Sequence, residues 1–388
     1  MKILYHHRIA SKDGQYVHVE EIVKALRKLG HEVIIVAPSI TETKEFGSEG
    51  GIVKTLKSIM PTALYEIMEF SYSLYAYRKL NKAIREHKPD VIYERYNLFM
   101  PAGIWAKRKF RLPLLLEVNA PLFEERVKYN SIVLKTLAKW TERYTWRGAD
   151  CVLPVTEVLA RKVFSEGVHQ KRITVIPNGI DLDKFGEMPN SEEAKAKLGL
   201  SERVILGFTG FVREWHGLDK VVDILKNNTR EKRHLLIVGD GPARASIERR
   251  AAELGVSDQV TITGVVKRDE IATYVATFDV ALQPDVVDYA SPLKMFEYLA
   301  LGRAIIAPDK DNIKEIVQHK KNGYLFKSGS NEAFINGIEE LCHDTELRQR
   351  LSIAARATIF ERNFTWGHNA KTISNVFDEL LDRYRCGQ

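Results

Sequence analysis

Cysteine is scarce in this sequence, three in 388 residues, and Cys151, Cys342 and Cys386 are scattered and odd in number. This excludes a disulfide framework, leaves no Cys-x-x-Cys metal clip, and fits a reducing cytoplasm. Long apolar runs are also missing, since no stretch approaches the roughly 18 residues needed to span a bilayer. The chain opens on Met1-Lys2-Ile3-Leu4-Tyr5, a strand-like start without the zones of a secretory leader, so export is not expected. Glycine-rich dinucleotide turns are lacking too. No Gly-x-Gly-x-x-Gly follows the first strand of either half, which argues against an NAD-dependent dehydrogenase. No recognised nucleic-acid motif is present, and no nucleic-acid partner is expected. The carboxylate pair Asp181-Leu182-Asp183 lies in a linker and reads as turn chemistry, so neither a metal nor another cofactor is expected.

What is present is an ordinary globular composition, 45% hydrophobic and 28% charged, in a chain long enough for two cores. Its charge is uneven. Residues 1–176 hold 29 Lys and Arg against 19 Asp and Glu, net +10, while 177–388 hold 29 against 32, net −3. A basic first half is expected to meet something anionic, such as a membrane surface, a lipid phosphate or a nucleic acid, the last without a motif to support it. The plainer reading is a solvated basic surface.

Short apolar runs alternate with amphipathic segments. Strand candidates in the first half are Lys2–Tyr5, Val33–Ala37, Val91–Tyr93, Leu114–Val118, Cys151–Val155 and Ile173–Ile176. In the second half they are Val204–Phe208, Leu235–Val238, Val260–Thr263, Val280–Leu282 and Ala304–Ala307. Between them lie predicted helices that end at Gly30, Gly255 and Gly302, the usual glycine stop. Near-continuous apolar strands separated by helices predict parallel sheets covered on both faces. The expected fold class is α/β: two Rossmann-like, doubly wound parallel-sheet domains, 1–176 and 177–367, with the site in a cleft beyond the carboxyl ends of the strands.

Three ordered strings point further. The first is Val175-Ile176-Pro177-Asn178-Gly179-Ile180-Asp181. Next comes Leu235-Leu236-Ile237-Val238-Gly239-Asp240-Gly241-Pro242, with Thr263-Gly264-Val265-Val266 beyond it. The last is Ser291-Pro292-Leu293-Lys294-Met295-Phe296-Glu297-Tyr298-Leu299-Ala300-Leu301-Gly302. In this order and spacing the chain resembles the retaining glycosyltransferases of family 4, which have the GT-B fold. The resemblance implies that Phe364-Thr365-Trp366 precedes a last helix, about 368–388, which returns to the first domain. It also implies a nucleoside-diphosphate sugar donor, carrying UDP or GDP, and a hydroxyl acceptor.

Physical chemistry supports the third string as a diphosphate loop. Ser291, Pro292 and Leu293 open a helix whose free N–H groups and positive dipole end suit phosphate. Lys294 stands in the first turn, where the dipole disfavours a cation unless an anion is near. By resemblance, Glu297 accepts the ribose hydroxyls, Val265 and Val266 border the base, and Gly239 and Asp240 flank the donor. The sequence departs from the family at three points. The usual first glutamate of the donor loop is replaced by Tyr289, with Asp288 beside it as a substitute. The usual Arg and Lys that neutralise the diphosphate are Phe211 and His216, which leaves Arg213, His216 and Lys294 as candidates for leaving-group stabilisation. A frequent His after the fourth strand is Asn119, able to position a sugar hydroxyl but not to act as a base. The loop 11–16, with Gly14 and Gln15, and His18 on the following helix are candidates for contact with phosphate or acceptor.

Residues 52–88 combine apolar residues, tyrosines and Lys/Arg, a composition suited to a membrane interface; a core-facing helix with a solvated basic side is the plainer reading. The expected acceptor is a lipid-linked or polysaccharide glycan intermediate, reached from the cytoplasm with peripheral contact to an anionic membrane. A sugar-nucleotide 2-epimerase and a non-catalytic nucleotide-sugar-binding protein are the alternatives.

Overall fold

The computed structural model describes residues 1–9, 14–38, 60–226 and 232–387. They fall into two compact units, Met1–Pro177 with Trp366–Gln388, and Asn178–Thr365. In the first, β1 (Lys2–His6), β2 (Glu32–Val36), β3 (Val91–Arg95), β4 (Leu114–Val118) and β5 (Cys151–Pro154) form a parallel sheet ordered β2-β1-β3-β4-β5. Around it lie α1 (Gly14–Lys28), α2 (Thr62–His87), α3 (Ala102–Phe110), α4 (Leu122–Lys128), α5 (Lys135–Gly148) and α6 (Glu157–Ser165). Every residue of β3 and β4 is buried, as expected of strands covered on both faces.

The second unit carries β6 (Val204–Thr209), β7 (Arg233–Val238), β8 (Val260–Ile262), β9 (Val280–Leu282), β10 (Ala304–Pro308) and β11 (Tyr324–Phe326), all parallel, in the order β11-β10-β9-β6-β7-β8. Its main helices are α7 (Ser191–Lys197), α8 (Asp219–Lys226), α9 (Arg244–Leu254), α10 (Ile271–Ala276), α11 (Leu293–Ala300), α12 (Asn331–His343) and α13 (Thr345–Glu361). Two apolar clusters, one on each face, sandwich the sheet. The chain then returns to the first unit as α14 (Trp366–Arg385), which buries Ala370, Ile373 and Phe377 and packs on α1.

Each sheet reverses its winding once, between β1 and β3 in the first unit and between β6 and β9 in the second. Such a switch point opens a crevice at the carboxyl ends of the strands. Two elements depart from the sequence expectations. Residues 173–176 form no strand; Thr174 and Ile176 donate to Val152 and Pro154 of β5, and the run stops at Pro177. Strand β11 is a sixth strand of the second sheet beyond the five expected; its three residues are set between the polar runs 318–322 and 327–331.

Candidate functional site

At the switch point of the second unit, β6 ends in Thr209 and Gly210. The Thr209 N–H donates to the Tyr298 hydroxyl at 2.9 Å, which ties the strand end to α11. The loop after β7 lies close against the loop after β6. A Cβ on Gly239 would stand 2.1 Å from the Gly210 carbonyl oxygen, and one on Gly241 would stand 2.2 Å from that of Val212. Gly239 also has φ +144°, open to glycine but not to other residues. The glycines of this string therefore bring two backbone loops into contact.

Helix α11 starts after Pro292, which has the extended backbone of an N-cap. Its first-turn N–H groups have no partner within the helix. Asn178 holds the loop before it: its N–H donates to Ser291 Oγ at 3.1 Å and its Nδ2 to the Ser291 carbonyl at 2.5 Å. From below, Asn312 Nδ2 donates to the carbonyls of Val287 and Ala290, and Lys310 pairs with Asp285. The loop is thus pinned by three residues that need not touch a ligand.

Lys294 Nζ lies 3.6 Å from the centroid of the Phe208 ring and borders Gly210. Burial pushes its pKa down to about 7, although Glu297 one turn on favours the ammonium. Burial likewise raises the Glu297 carboxyl, opposed by Arg268 and Lys294. His216 packs on Phe208 and Trp215, and its Nδ1 accepts the Arg213 N–H at 3.1 Å. Burial, with the Lys294 and Arg213 cations, lowers its pKa to about 3. At neutral pH His216 is therefore uncharged, with its proton on Nε2 as a donor. Arg213 is exposed and lies over the Phe211 ring at 5.0 Å. Two cations, a neutral donor and a carboxyl group thus gather around a helix N-terminus, an arrangement that can hold a diphosphate beside hydroxyl groups.

In the first unit, polar side chains are buried at the ends of β1, β3 and β4. Glu117 is the hub. Its Oε2 accepts from Tyr93 at 2.9 Å and pairs with His18 Nε2 at 3.0 Å; its Oε1 accepts from Arg95 and from Asn119 Nδ2. Burial alone would raise its pKa, but His18, Arg95 and the hydrogen bonds overcome this and hold the carboxyl well below its usual range. Because Asn119 gives its amide N–H to this carboxylate, its carbonyl oxygen points away as an acceptor. Beside this hub, His6 Nδ1 lies 2.6 Å from buried Glu94.

Both halves match family models, Glycosyltransferase Family 4 over residues 12–184 and Glycosyl transferases group 1 over residues 190–358. The chain is a family 4 glycosyltransferase of the GT-B fold. It is 23% identical to an uncharacterized glycosyltransferase of Methanocaldococcus jannaschii over 95% of both chains. It is also 23% identical to an alpha-monoglucosyldiacylglycerol synthase of Acholeplasma laidlawii, over 95% of this chain and 94% of that one. Among solved structures, the Anabaena protein HepE in complex with UDP and glucose is similar at a TM-score of 0.75, with 18% identity, covering 98% of this chain and 100% of that one.

Within this glycosyltransferase, the structure gathers Arg213, His216, Ser291, Pro292, Leu293, Lys294 and Glu297 in the second unit at the ends of β6 and α11. Asp288 is exposed on the pinned loop, whereas Tyr289 is buried. Asp240 accepts the Gly241 N–H and pairs with Arg244, so its carboxylate serves the start of α9. Val265 is 60% exposed beyond β8, and Val266 packs against the core. Gly14 and Gln15 are exposed at the start of α1, while residues 11–13 of their loop lie outside the described residues. His18 is buried against Glu117 and Trp366. The sequence reading missed the Glu117 hub and the stays Asn178 and Asn312, which carry no spacing signal. Arg268 was missed for the same reason. The pair Asp309-Lys310-Asp311 after β10 was also missed; Asp309 accepts the Ser328 N–H there, which is turn chemistry again.

Proposed function

We propose that this glycosyltransferase transfers a sugar, with retention of anomeric configuration, from a UDP or GDP sugar held by the second unit to a hydroxyl of a lipid-linked or polysaccharide glycan intermediate. The observation that carries the donor reading is Lys294, a half-buried ammonium at a helix N-terminus whose pKa has fallen to about 7. An ammonium held in such a place is stabilised by a bound anion. As the glycosidic bond to phosphate breaks, negative charge grows on the leaving oxygen. Lys294, Arg213 and the His216 Nε2–H offset that charge together with the first-turn N–H groups. Glu297 accepts the ribose hydroxyls. The leaving oxygen takes the acceptor proton on the same face, so Asn119 serves as an acceptor for a hydroxyl rather than as a base. Side-chain cations fill the neutralising role, and the reaction is proposed to need neither metal nor other cofactor.

The similarity to a glucosyldiacylglycerol synthase and the basic first half support a membrane-borne acceptor, with the enzyme peripheral on the cytoplasmic face. No helix among the described residues is long and apolar enough to cross a membrane.

Calorimetric titration of UDP, GDP, ADP and dTDP with EDTA present tests the donor site. One nucleotide binds well, and Glu297→Ala weakens it by about 1–3 kcal/mol, the cost of an unpaired buried polar contact. Product coupling constants by NMR then report the anomer. Binding without transfer to any acceptor favours the sensor reading, and sugar inversion at C2 favours the epimerase.

A further inference from the structure

The first half of helix α2 is built inside out. Its protein-facing side carries Glu66, Glu69 and Ser73, all buried, whereas Leu64, Ile67, Met68, Leu74 and Tyr75 are exposed. The buried carboxylates explain the inversion. Glu66 accepts the N–H groups of Val133 and Leu134 at the start of α5, at 2.8 and 2.6 Å, and Glu69 forms a two-point pair with Arg126. Ser73 Oγ donates to the Phe99 carbonyl at 2.6 Å. In this first half the polar ties occupy the inner face and the large apolar residues lie outside, whereas Ala76, Leu80 and Ile84 fill the inner face of the second half in the ordinary way. Trp140 of α5, itself 49% exposed, meets Phe70 of α2 and continues the apolar surface.

The second half of the same helix changes character. Arg78, Lys82 and Arg85 continue the exposed face, and together with Lys109 of α3 they line a shallow depression that also takes in Asn81 and Glu86. An apolar stripe followed by a cluster of cations on one continuous helix face is what a lipid surface with anionic headgroups fits: acyl-chain contact for the first part, phosphate for the second. A second copy packed antiparallel about a two-fold axis would instead set the cationic end of each helix against the apolar end of the other, leaving the cations without a counter-charge.

We propose that the exposed face of α2, from Leu64 to Arg85, docks this glycosyltransferase on an anionic membrane. The proposal rests on the membrane-borne acceptor above and assigns it a surface.

The test is sedimentation of the full chain with phosphatidylcholine vesicles with and without phosphatidylglycerol. Wild type pellets with anionic vesicles, and high salt weakens it. The double variant Ile67→Glu/Leu74→Glu loses the association. Lys82→Glu/Arg85→Glu weakens it roughly tenfold or more on anionic vesicles. Both variants retain wild-type Tm and wild-type affinity for whichever nucleotide the titration identifies, which keeps a folding defect apart from a docking defect. Wild type that stays in the supernatant with anionic vesicles overturns the proposal. So does equal binding by Ile67→Glu/Leu74→Glu, or a wild-type dimer in gel filtration that this variant turns into a monomer. If wild type binds vesicles but none of the four nucleotides, the donor reading fails while the docking surface stands.

Discussion

Lys294 stands over an aromatic ring in the first turn of α11, where burial lowers its pKa to about 7 and brings its titration into the neutral range. A diphosphate beside it favours the ammonium, so binding above pH 7 draws a proton from solvent. Nucleotide affinity is therefore expected to fall as pH rises from 7 to 9, by up to about tenfold per unit for one linked proton. Lys294→Met should bind more weakly at pH 7 and lose that pH dependence. Calorimetry in buffers of different ionisation enthalpy reads the proton uptake directly, and equal slopes for the two proteins would remove Lys294 from the diphosphate. His216, whose pKa burial and the neighbouring cations lower to about 3, is neutral in the free protein across this range. Gly239 makes a different demand. Its positive φ and the 2.1 Å approach to the Gly210 carbonyl leave no room for a methyl group. Gly239→Ala should destabilise the second unit by about 1–3 kcal/mol and shift the loop after β6, seen as a lower Tm and weaker nucleotide binding.

Among elements, β4 is buried along its length yet carries an ionised residue. Glu117 is tolerable there because His18, Arg95, Tyr93 and Asn119 all reach it. Its pKa is depressed below the ordinary value of 4.5, so its contribution to stability is fully present above about pH 4.5 and is lost as pH falls further. Glu117→Leu leaves Arg95 and His18 facing an apolar group and should cost about 3–5 kcal/mol, read by chemical unfolding of the first unit. The acid limb of its pH–stability profile should flatten at the same time. Little of this was visible in the sequence. The run Leu114–Val118 was legible as a buried strand, but a glutamate within it has no periodic signature that reveals its partners on β3 and α1. The same holds for α2. Its residues scan as amphipathic; Ala76, Leu80 and Ile84 are buried in its second half as that pattern expects, and the ties of Glu66 and Glu69 to α4 and α5 put carboxylates inside in the first. The part of that expectation at residues 52–59 lies outside the described residues.

For the whole molecule, the chain enters the second unit at Asn178 and leaves it at Thr365. Two cores of their own flank its sheet, so residues 178–365 should fold as an isolated fragment and keep nucleotide affinity; circular dichroism and calorimetry of that fragment check this. The first unit is not continuous. It needs α14, whose Ile373 and Phe377 are buried and whose Asn369 donates to the Pro177 carbonyl. Each large apolar side chain buried there stabilises by about 1.5–3 kcal/mol. A chain ending at Thr365 should lose the first unit's cooperative melting while retaining the second's.

By itself the sequence determined the two parallel sheets and the loop that opens α11. Both depend on local order: apolar runs of strand length, glycine stops after helices, and a Ser-Pro start to α11 with Lys294 and Glu297 one turn apart. It also set the charge, +10 in residues 1–176. Tertiary structure alone decided what each polar group faces. Asn178 meets Ser291 across 113 positions and His18 meets Glu117 across 99. Such pairs are chosen by which strand ends lie side by side, and the inner face of the first half of α2 is chosen by where an arginine of α4 and two N–H groups before α5 meet its glutamates. Burial then lowers the Lys294 pKa, and burial is a property of the packed chain rather than of any local run of residues.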